Sequence, residues 1–262
     1  MNCLSNIIFE NLLFVNVMVG SEIGVALFDS GAQKTVVSES FLRRCNGDFL
    51  TETVKAGNNN GNAITLNKGV LKSIKIADKA LSNLDVLVIE DDMFIMEDSK
   101  GHRFEADMLL GYDVINMYKW IYNPTMHTLD IGDSDMTIKK NLVSYAGFAI
   151  INVYSNGQSY NTGIDTGHTE TILGKNVKCE NCKPVYIEDD VVGIGTTEKM
   201  CVQMIPKFKV DFEGTEVELH NITMQEKIYG APEGMDILLG MDFFEGKAWE
   251  MDFKAGILRF NK

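Results

Sequence analysis

The sequence predicts an all-β protein built from two similar β-barrel lobes, and three observations support this. Apolar and polar residues alternate over long stretches, as in residues 71–76, which is the period of half-buried strands. Two short apolar stretches each end in an aspartate-glycine turn, at Asp29 and at Asp165. The residues around these turns repeat along the chain, which predicts a pseudo-twofold axis between the lobes.

The repeat is clearest at the two turns. Aligning Asp29 with Asp165 gives an offset of 136, the difference between 165 and 29, and the same offset pairs Thr35 with Thr171. Residues 15–17 (Val-Asn-Val) then fall on residues 151–153 (Ile-Asn-Val). This agreement predicts an internal duplication.

A second repeated segment follows each turn. Residues 107–113 and 236–242 both read Asp-x-Leu-Leu-Gly-x-Asp, at an offset of 129, the difference between 240 and 111, which also pairs Trp120 with Trp249. The smaller offset indicates a net deletion within a surface loop of the second half, where shortening costs little free energy. We expect lobes at residues 1–135 and 136–262, with a linker near residues 132–135.

Composition limits the partners and the location. The formal net charge of −13 disfavours nucleic acid and anionic membrane surfaces, both of which would repel the chain. No stretch has the roughly twenty apolar residues of a membrane span. The five cysteines are an odd number and the N-terminus lacks a secretory signal, so we expect a cytoplasmic location.

The chain order predicts a hairpin before each turn and a second, more polar hairpin after it. Residues 6–19 and 23–28 form the first hairpin, and residues 36–49 continue as a strand and a short helical turn. Terminal strands at residues 120–131 and 249–260 are expected to close each half. Two glycine-containing segments are candidate substrate-binding flaps, one with Gly57 and Gly61, the other with Gly193 and Gly195. The latter pair does not indicate a phosphate site, since the third glycine is missing and no helix follows.

Three aspartate pairs repeat, so the repeat alone does not identify functional carboxylates. Asp29 and Asp165 end apolar strands beside a glycine that admits close backbone contact, which suits a rigid and accessible carboxylate. The second pair, Asp113 and Asp242, is better explained as helix caps. Asp107 and Asp236, at the start of a strand, are expected in solvent.

These motifs resemble those of the aspartic proteases, in which an apolar-apolar-Asp-Ser/Thr-Gly turn is followed by an apolar-apolar-Gly segment. Asp29-Ser30-Gly31-Ala32 is similar to the retropepsin-like branch, whereas both halves in one chain resemble the pepsins. The resemblance implies a bilobal acid-protease fold. It also implies that Ser30 and Thr166 hydrogen-bond across the lobes.

The resemblance further implies a reaction. Gly31 and Gly167 would donate backbone amides to carboxylates that share one proton, and the ionised partner would activate a water for attack on a peptide carbonyl. No metal or other cofactor is required. His168 departs from the family pattern, because a small or hydroxyl residue is usual there; it either stabilises ionised Asp165 or points outward without a role.

Other catalytic patterns are disfavoured. Cys179-Glu-Asn-Cys182 has no second Cys/His pair and is interpreted as structural or incidental. His-Glu-x-x-His is absent, and Gly20-Ser-Glu-Ile-Gly24 misplaces the serine of a hydrolase elbow.

We therefore expect a monomeric aspartic endopeptidase that binds an extended peptide beneath its flaps. The alternative is an inactive peptide-binding module of the same fold, which the unusual His168 suggests.

Overall fold

The computed structural model describes residues 4–57, 63–98, 100–134, 140–179, 185–193 and 196–261. Strands make up most of these residues and the helices are short, so the all-β, two-lobed fold class is confirmed.

The first half holds two short helices, α1 (Glu39–Arg44) and α2 (Tyr112–Ile115), and a 3₁₀ helix at Asp91–Phe94. Its strands are β1 (Leu4–Phe9), β2 (Leu12–Val19), β3 (Glu22–Phe28), β4 (Val36–Ser38), β5 (Asp48–Gly57), β6 (Ala63–Ile76), β7 (Lys79–Ile89), β8 (Ile95–Glu97), β9 (Arg103–Glu105), β10 (Met108–Leu110), β11 (Lys119–Asn123) and β12 (Thr128–Gly132).

The second half has one 3₁₀ helix, Met241–Phe244, among its described residues. Its strands are β13 (Val143–Tyr145), β14 (Phe148–Ser155), β15 (Gln158–Ile164), β16 (Ile172–Gly174), β17 (Val185–Gly193), β18 (Thr196–Phe212), β19 (Thr215–Gln225), β20 (Ile237–Leu239), β21 (Ala248–Asp252) and β22 (Ile257–Asn261).

Six strands of the first half close into a barrel in the order β2, β3, β10, β4, β7, β6, with β6 returning to β2. The strand β10 lies between β3, to which it is parallel, and β4, to which it is antiparallel. This insertion places the end of β10 beside the end of β3, where Asp29 follows.

The second half repeats this strand order. Its sheet runs β14, β15, β20, β16, β19, β18, and β14 meets β18 at Tyr154 and Asp211. The strand β20 is again parallel to one neighbour, β15, and antiparallel to the other, β16. The end of β20 therefore lies beside the end of β15, where Asp165 follows.

The strands at the end of each half pair with each other. β11 is antiparallel to β21, with Trp120 opposite Met251 and Tyr122 opposite Trp249. We predicted that residues 120–131 and 249–260 each close their own half; instead β21 and β22 extend the sheet of the first half. A backbone ladder thus joins the two halves behind the turns.

Apolar side chains fill a main core that continues across this junction, and a smaller cluster around Phe148 and Leu238 lies in the second half. Trp120 and Trp249 are fully buried, and both pack on Phe28, with ring centroids 4.9 and 6.3 Å away. Because Phe28 directly precedes Asp29, the core fixes the end of the strand that carries this aspartate.

The prediction of one strand over residues 6–19 is wrong, since a turn at Glu10 and Asn11 divides it into β1 and β2. Both residues have positive φ, 48° and 64°, the conformation of a tight hairpin turn that asparagine tolerates.

Among the described residues no helix has the length and apolar character needed to cross a bilayer. The cytoplasmic location stays a prediction. Cys179 takes part in a disulfide bond, which fits a structural role but does not support a reducing compartment.

Candidate active site

Asp29 and Asp165 each follow a buried strand, β3 and β15. The backbone N–H of Asp29 donates to the carbonyl of Leu110 at 3.0 Å, and that of Asp165 donates to Leu239 at 2.9 Å. Each aspartate is therefore attached at its own backbone to the Leu-Leu-Gly segment of its half.

Ser30 and Thr166 connect the two turns through four hydrogen bonds. The N–H of Ser30 donates to Thr166 Oγ1 at 2.9 Å, and the N–H of Thr166 donates to Ser30 Oγ at 3.1 Å. Ser30 Oγ donates to the carbonyl of Ile164 at 2.9 Å, and Thr166 Oγ1 to that of Phe28 at 2.7 Å. Both residues are fully buried, and these are the bonds that the resemblance implied.

Gly31 and Gly167 pack against the carboxyl group of the opposite half. A Cβ atom on Gly31 would lie 2.2 Å from Cγ of Asp165, and one on Gly167 would lie 2.2 Å from Cγ of Asp29. Real Cβ atoms do not approach other atoms so closely, so any side chain here would displace a carboxyl group. The glycines therefore set the separation of the two turns.

The two carboxyl groups each pack on the glycine of the opposite turn and are nearly buried, with relative exposures of 9% for Asp29 and 8% for Asp165. Burial raises the pKa of both groups, and the charge of Asp165 raises that of Asp29 further. Two neighbouring carboxyls in this setting cannot both ionise readily, so they share one proton and titrate as a pair.

Backbone amides oppose this rise, and unequally. Asp29 Oδ1 accepts from the N–H groups of Gly31, at 2.8 Å, and Ala32, at 3.0 Å. Asp165 Oδ1 accepts from Gly167 at 3.0 Å, whereas the N–H of His168 donates to the backbone carbonyl of Asp165 at 3.3 Å. Two backbone N–H groups therefore donate to the carboxylate of Asp29, and one donates to that of Asp165.

The ring of His168 contacts the backbone of Glu170 and not the carboxylate of Asp165. Its Nδ1 lies 2.6 Å from the carbonyl oxygen of Glu170. Burial raises the pKa of Asp165, and the neighbouring Asp29 carboxyl and the N–H of Gly167 lower it. Burial also raises the pKa of Asp242, and it is this carboxyl whose pKa His168 lowers. The geometry therefore does not support direct stabilisation of ionised Asp165 by this imidazole.

Neither Asp113 nor Asp242 occupies the N-cap position of the helix that follows it, because Gly111 and Gly240 do. Asp242 does accept one free amide of its helix, the N–H of Phe243 at 2.9 Å, as predicted. Asp113 Oδ1 instead accepts from the N–H and the hydroxyl of Thr35, at 2.9 and 2.8 Å. For Asp113 the prediction fails because a buried threonine 78 residues away competes successfully for the carboxylate.

The second half has the same arrangement. Asp242 accepts from the N–H of Thr171 at 2.9 Å and from its hydroxyl at 2.7 Å. We call each of these pairs, Thr35 with Asp113 and Thr171 with Asp242, a Thr-Asp brace. Our sequence reasoning missed this role, although the pairing of Thr35 with Thr171 at the offset of 136 was a signal for it.

The glycine of each Leu-Leu-Gly segment permits close backbone contact. A Cβ on Gly111 would lie 2.4 Å from the backbone carbon of Lys34, and one on Gly240 would lie 2.5 Å from the carbonyl oxygen of Glu170. Only glycine allows the segment to pass directly behind the turn.

From the sequence we expected Asp107 and Asp236 to lie in solvent. Instead, both carboxylates bind the protein. Asp107 accepts from the N–H of Val25 at 2.9 Å and from Arg44 at 2.8 Å, and Asp236 accepts from the N–H of Asn161 at 3.0 Å. Each fixes the strand that leads to its aspartate turn, several residues before the turn.

The predicted flaps belong to antiparallel hairpins, β5 with β6 and β17 with β18. Gly57 ends β5, and Gly193 ends β17. Gly61 and Gly195 lie outside the described residues, and substrate binding by the flaps stays a prediction. In the described part of the chain, no group of three or more His, Cys, Asp or Glu side chains could hold a metal ion.

Comparison with known families agrees with this geometry. Residues 15–117 match the model of a family described as "gag-polyprotein putative aspartyl protease". This match places residues 15–117 among the retropepsin-like aspartic proteases. The matched segment runs from β2 to just past α2 and includes Asp29, Thr35 and Asp113. No curated protein gave a significant match.

Proposed function

We propose that this chain is a monomeric aspartic endopeptidase whose one active site takes Asp29 from the first half and Asp165 from the second. The observation that carries the proposal is the pair of buried carboxyls, each packed on the glycine of the opposite turn, Gly31 or Gly167. The family match of residues 15–117 supports a protease function. The repeated strand order supports a duplicated chain with lobes near residues 1–135 and 136–262.

In the proposed reaction the two carboxyls hold one proton between them. The ionised partner removes a proton from a water, and that water attacks the peptide carbonyl carbon. The protonated partner donates a hydrogen bond to the oxygen that gains negative charge. The proton removed from the water is then delivered to the leaving amine nitrogen as the C–N bond breaks and the carbonyl re-forms. The first partner is ionised again and the second keeps its proton, so the pair returns to its single-proton state.

The proposed substrate is an extended peptide. A strand-like peptide presents alternate side chains to each side, and it hydrogen-bonds through its backbone to neighbouring strand edges. The hairpins β5–β6 and β17–β18 are the proposed flaps above it.

A test is the cleavage of a mixed peptide library over a range of pH by the wild type and by Asp29→Asn and Asp165→Asn. Asparagine keeps the side-chain shape but cannot exchange the proton, so we expect each variant to lose cleavage by a factor of at least about a thousand. Asp78→Asn, at an exposed aspartate on the β6–β7 turn that pairs with Lys79, is the matched control and should remain active. Cleavage that survives in either turn variant would contradict the proposal.

The alternative is an inactive peptide-binding module. It is favoured by the unusual His168 and by the Asp165 carboxylate, which accepts from one backbone N–H where Asp29 accepts from two. Peptide binding without cleavage from acid to neutral pH would support it. Comparing the pH profiles of the wild type and His168→Ala separates the two roles of the histidine, and unchanged profiles would remove it as a modulator of the pair.

A further inference from the structure

Each aspartate turn is attached to the Leu-Leu-Gly segment behind it at three points. In the first half, Asp29 donates its N–H to Leu110 at 3.0 Å, and the N–H of Tyr112 donates to the carbonyl of Ala32 at 2.7 Å. The third point is the first Thr-Asp brace. The turn is therefore held at its aspartate, directly after its glycine at Ala32, and again at Thr35.

The second turn is attached in the same way. Asp165 donates its N–H to Leu239 at 2.9 Å, and the N–H of Met241 donates to the carbonyl of His168 at 2.8 Å. The second Thr-Asp brace completes the set. Thr35 and Thr171 are both fully buried, so a lost bond in either brace is not replaced by water.

The two braces use their carboxylates differently. In the first, both donors of Thr35 converge on Oδ1 of Asp113, while Oδ2 lies 3.6 Å from Nζ of Lys34. Among the described residues Oδ2 accepts no hydrogen bond. One oxygen of Asp113 therefore forms the whole brace.

In the second brace both oxygens are used. Oδ2 of Asp242 accepts from the N–H of Thr171, and Oδ1 accepts from the Thr171 hydroxyl and from the N–H of Phe243 at 2.9 Å. An asparagine side chain offers one acceptor oxygen and an NH₂ group. It can reproduce the bonds of Asp113, but at position 242 it would direct its NH₂ group at a donor.

We propose that Asp113 and Asp242 are positioning residues for the two catalytic turns, and that Asp242 requires both carboxylate oxygens whereas Asp113 requires one. This inference rests on the proposed function of the turns. Neither residue contacts the reacting atoms; each acts through its threonine on the backbone that follows a catalytic aspartate.

The test measures kcat and KM for peptide cleavage in Asp113→Asn, Asp113→Ala and Asp242→Asn. We expect Asp242→Asn and Asp113→Ala to lower kcat about tenfold or more with KM changed less than about twofold, because misplaced groups chiefly affect the transition state. Asp113→Asn should restore most of the activity lost in Asp113→Ala. Asp78→Asn, which changes an exposed carboxylate on the β6–β7 turn that pairs with Lys79, is the control.

Equal effects of the asparagine at positions 113 and 242 would overturn the inference. So would an Asp242→Asn variant that melts at a lower temperature but keeps the wild-type kcat, since the role would then be stability alone. If Asp242→Asn does not fold, Thr171→Val and Thr171→Ser replace it: valine removes the hydroxyl bond and serine keeps it. Only valine should then lower kcat.

A readout without turnover separates this inference from the proposed function. Carbon-13 NMR follows the titration of the Asp29 and Asp165 carboxyls, and a displaced turn changes the apparent pKa values of the pair. We expect Asp242→Asn to shift that titration and Asp78→Asn to leave it unchanged, even if the wild type cleaves no peptide. An unshifted titration in Asp242→Asn would overturn the inference by itself.

Discussion

Asp29 and Asp165 make the stability of the protein depend on pH. Their pKa values are raised by burial, and that of Asp29 also by the neighbouring charge, so the folded state binds a proton at pH values where the unfolded chain has released it. The free energy of unfolding therefore falls as pH rises from the ordinary range of aspartate to the raised value. Each pKa unit of the rise corresponds to about 1.4 kcal/mol.

Asp29→Asn removes one member of this pair and should stabilise the protein at neutral pH. Urea unfolding at pH 4 and at pH 7 measures the effect, with wild type as the reference. We expect the variant to gain stability relative to wild type at pH 7 and to gain less at pH 4, where the pair is more nearly protonated. The same difference at both pH values would show that the carboxyls are not coupled in the fold.

At the residue scale the sequence identified both turns but missed the braces. Asp29 and Asp165 were recognisable because the residues that constrain them, Ser30 and Gly31 or Thr166 and Gly167, are adjacent in the chain. Asp113 was read as a helix cap because aspartate at a helix start usually has that role. Its actual partner, Thr35, is 78 residues away, and no local pattern reports such a contact.

At the scale of elements, the bonds between Ser30 and Thr166 hold the ends of β3 and β15 together. Thr166→Val keeps the shape but leaves the N–H of Ser30 and the carbonyl of Phe28 without their hydroxyl partner in a buried site. Leaving buried polar groups unpaired costs about 1–3 kcal/mol each.

We therefore expect Thr166→Val to lower the free energy of unfolding by about 2–4 kcal/mol, measured by chemical denaturation. Thr166→Ser retains the hydroxyl and is the matched control, with a loss of less than about 1.5 kcal/mol for the missing methyl group. Equal losses in the two variants would assign the stability to packing and not to the hydrogen bonds.

The sequence predicted hairpins and half-buried strands well because alternation is a local signal. It failed where elements from distant parts of the chain meet. Nothing local in residues 249–260 distinguishes pairing with their own half from pairing with β11, since both options bury Trp249 and Met251. The break at Glu10 and Asn11 was also missed, because the apolar residues on both sides continue the strand pattern.

At the scale of the whole molecule, β11 and β21 join the halves through one backbone ladder, so we expect the halves to unfold together. Trp249 is fully buried, with ring centroids 5.3 Å from Tyr122 and 5.5 Å from Phe244, so it contacts residues of both halves. Its indole N–H has no hydrogen-bond partner among the described residues. Packing is therefore its contribution to stability.

Trp249→Ala should lower the free energy of unfolding by about 3–5 kcal/mol in a single transition, followed by calorimetry. Trp249→Phe keeps most of the apolar surface and loses no hydrogen bond within the described structure, so its cost should be clearly smaller. Two separate transitions in Trp249→Ala, with only one shifted, would show that the halves unfold independently.

The central claim is that one chain forms one catalytic site from two different halves. Calorimetric titration with a statine-type peptide inhibitor, whose hydroxyl occupies the position of the attacking water, tests it most directly. We predict one inhibitor bound per 262-residue chain, with binding lost in both Asp29→Asn and Asp165→Asn. One inhibitor per two chains, or binding that survives either substitution, would contradict the claim.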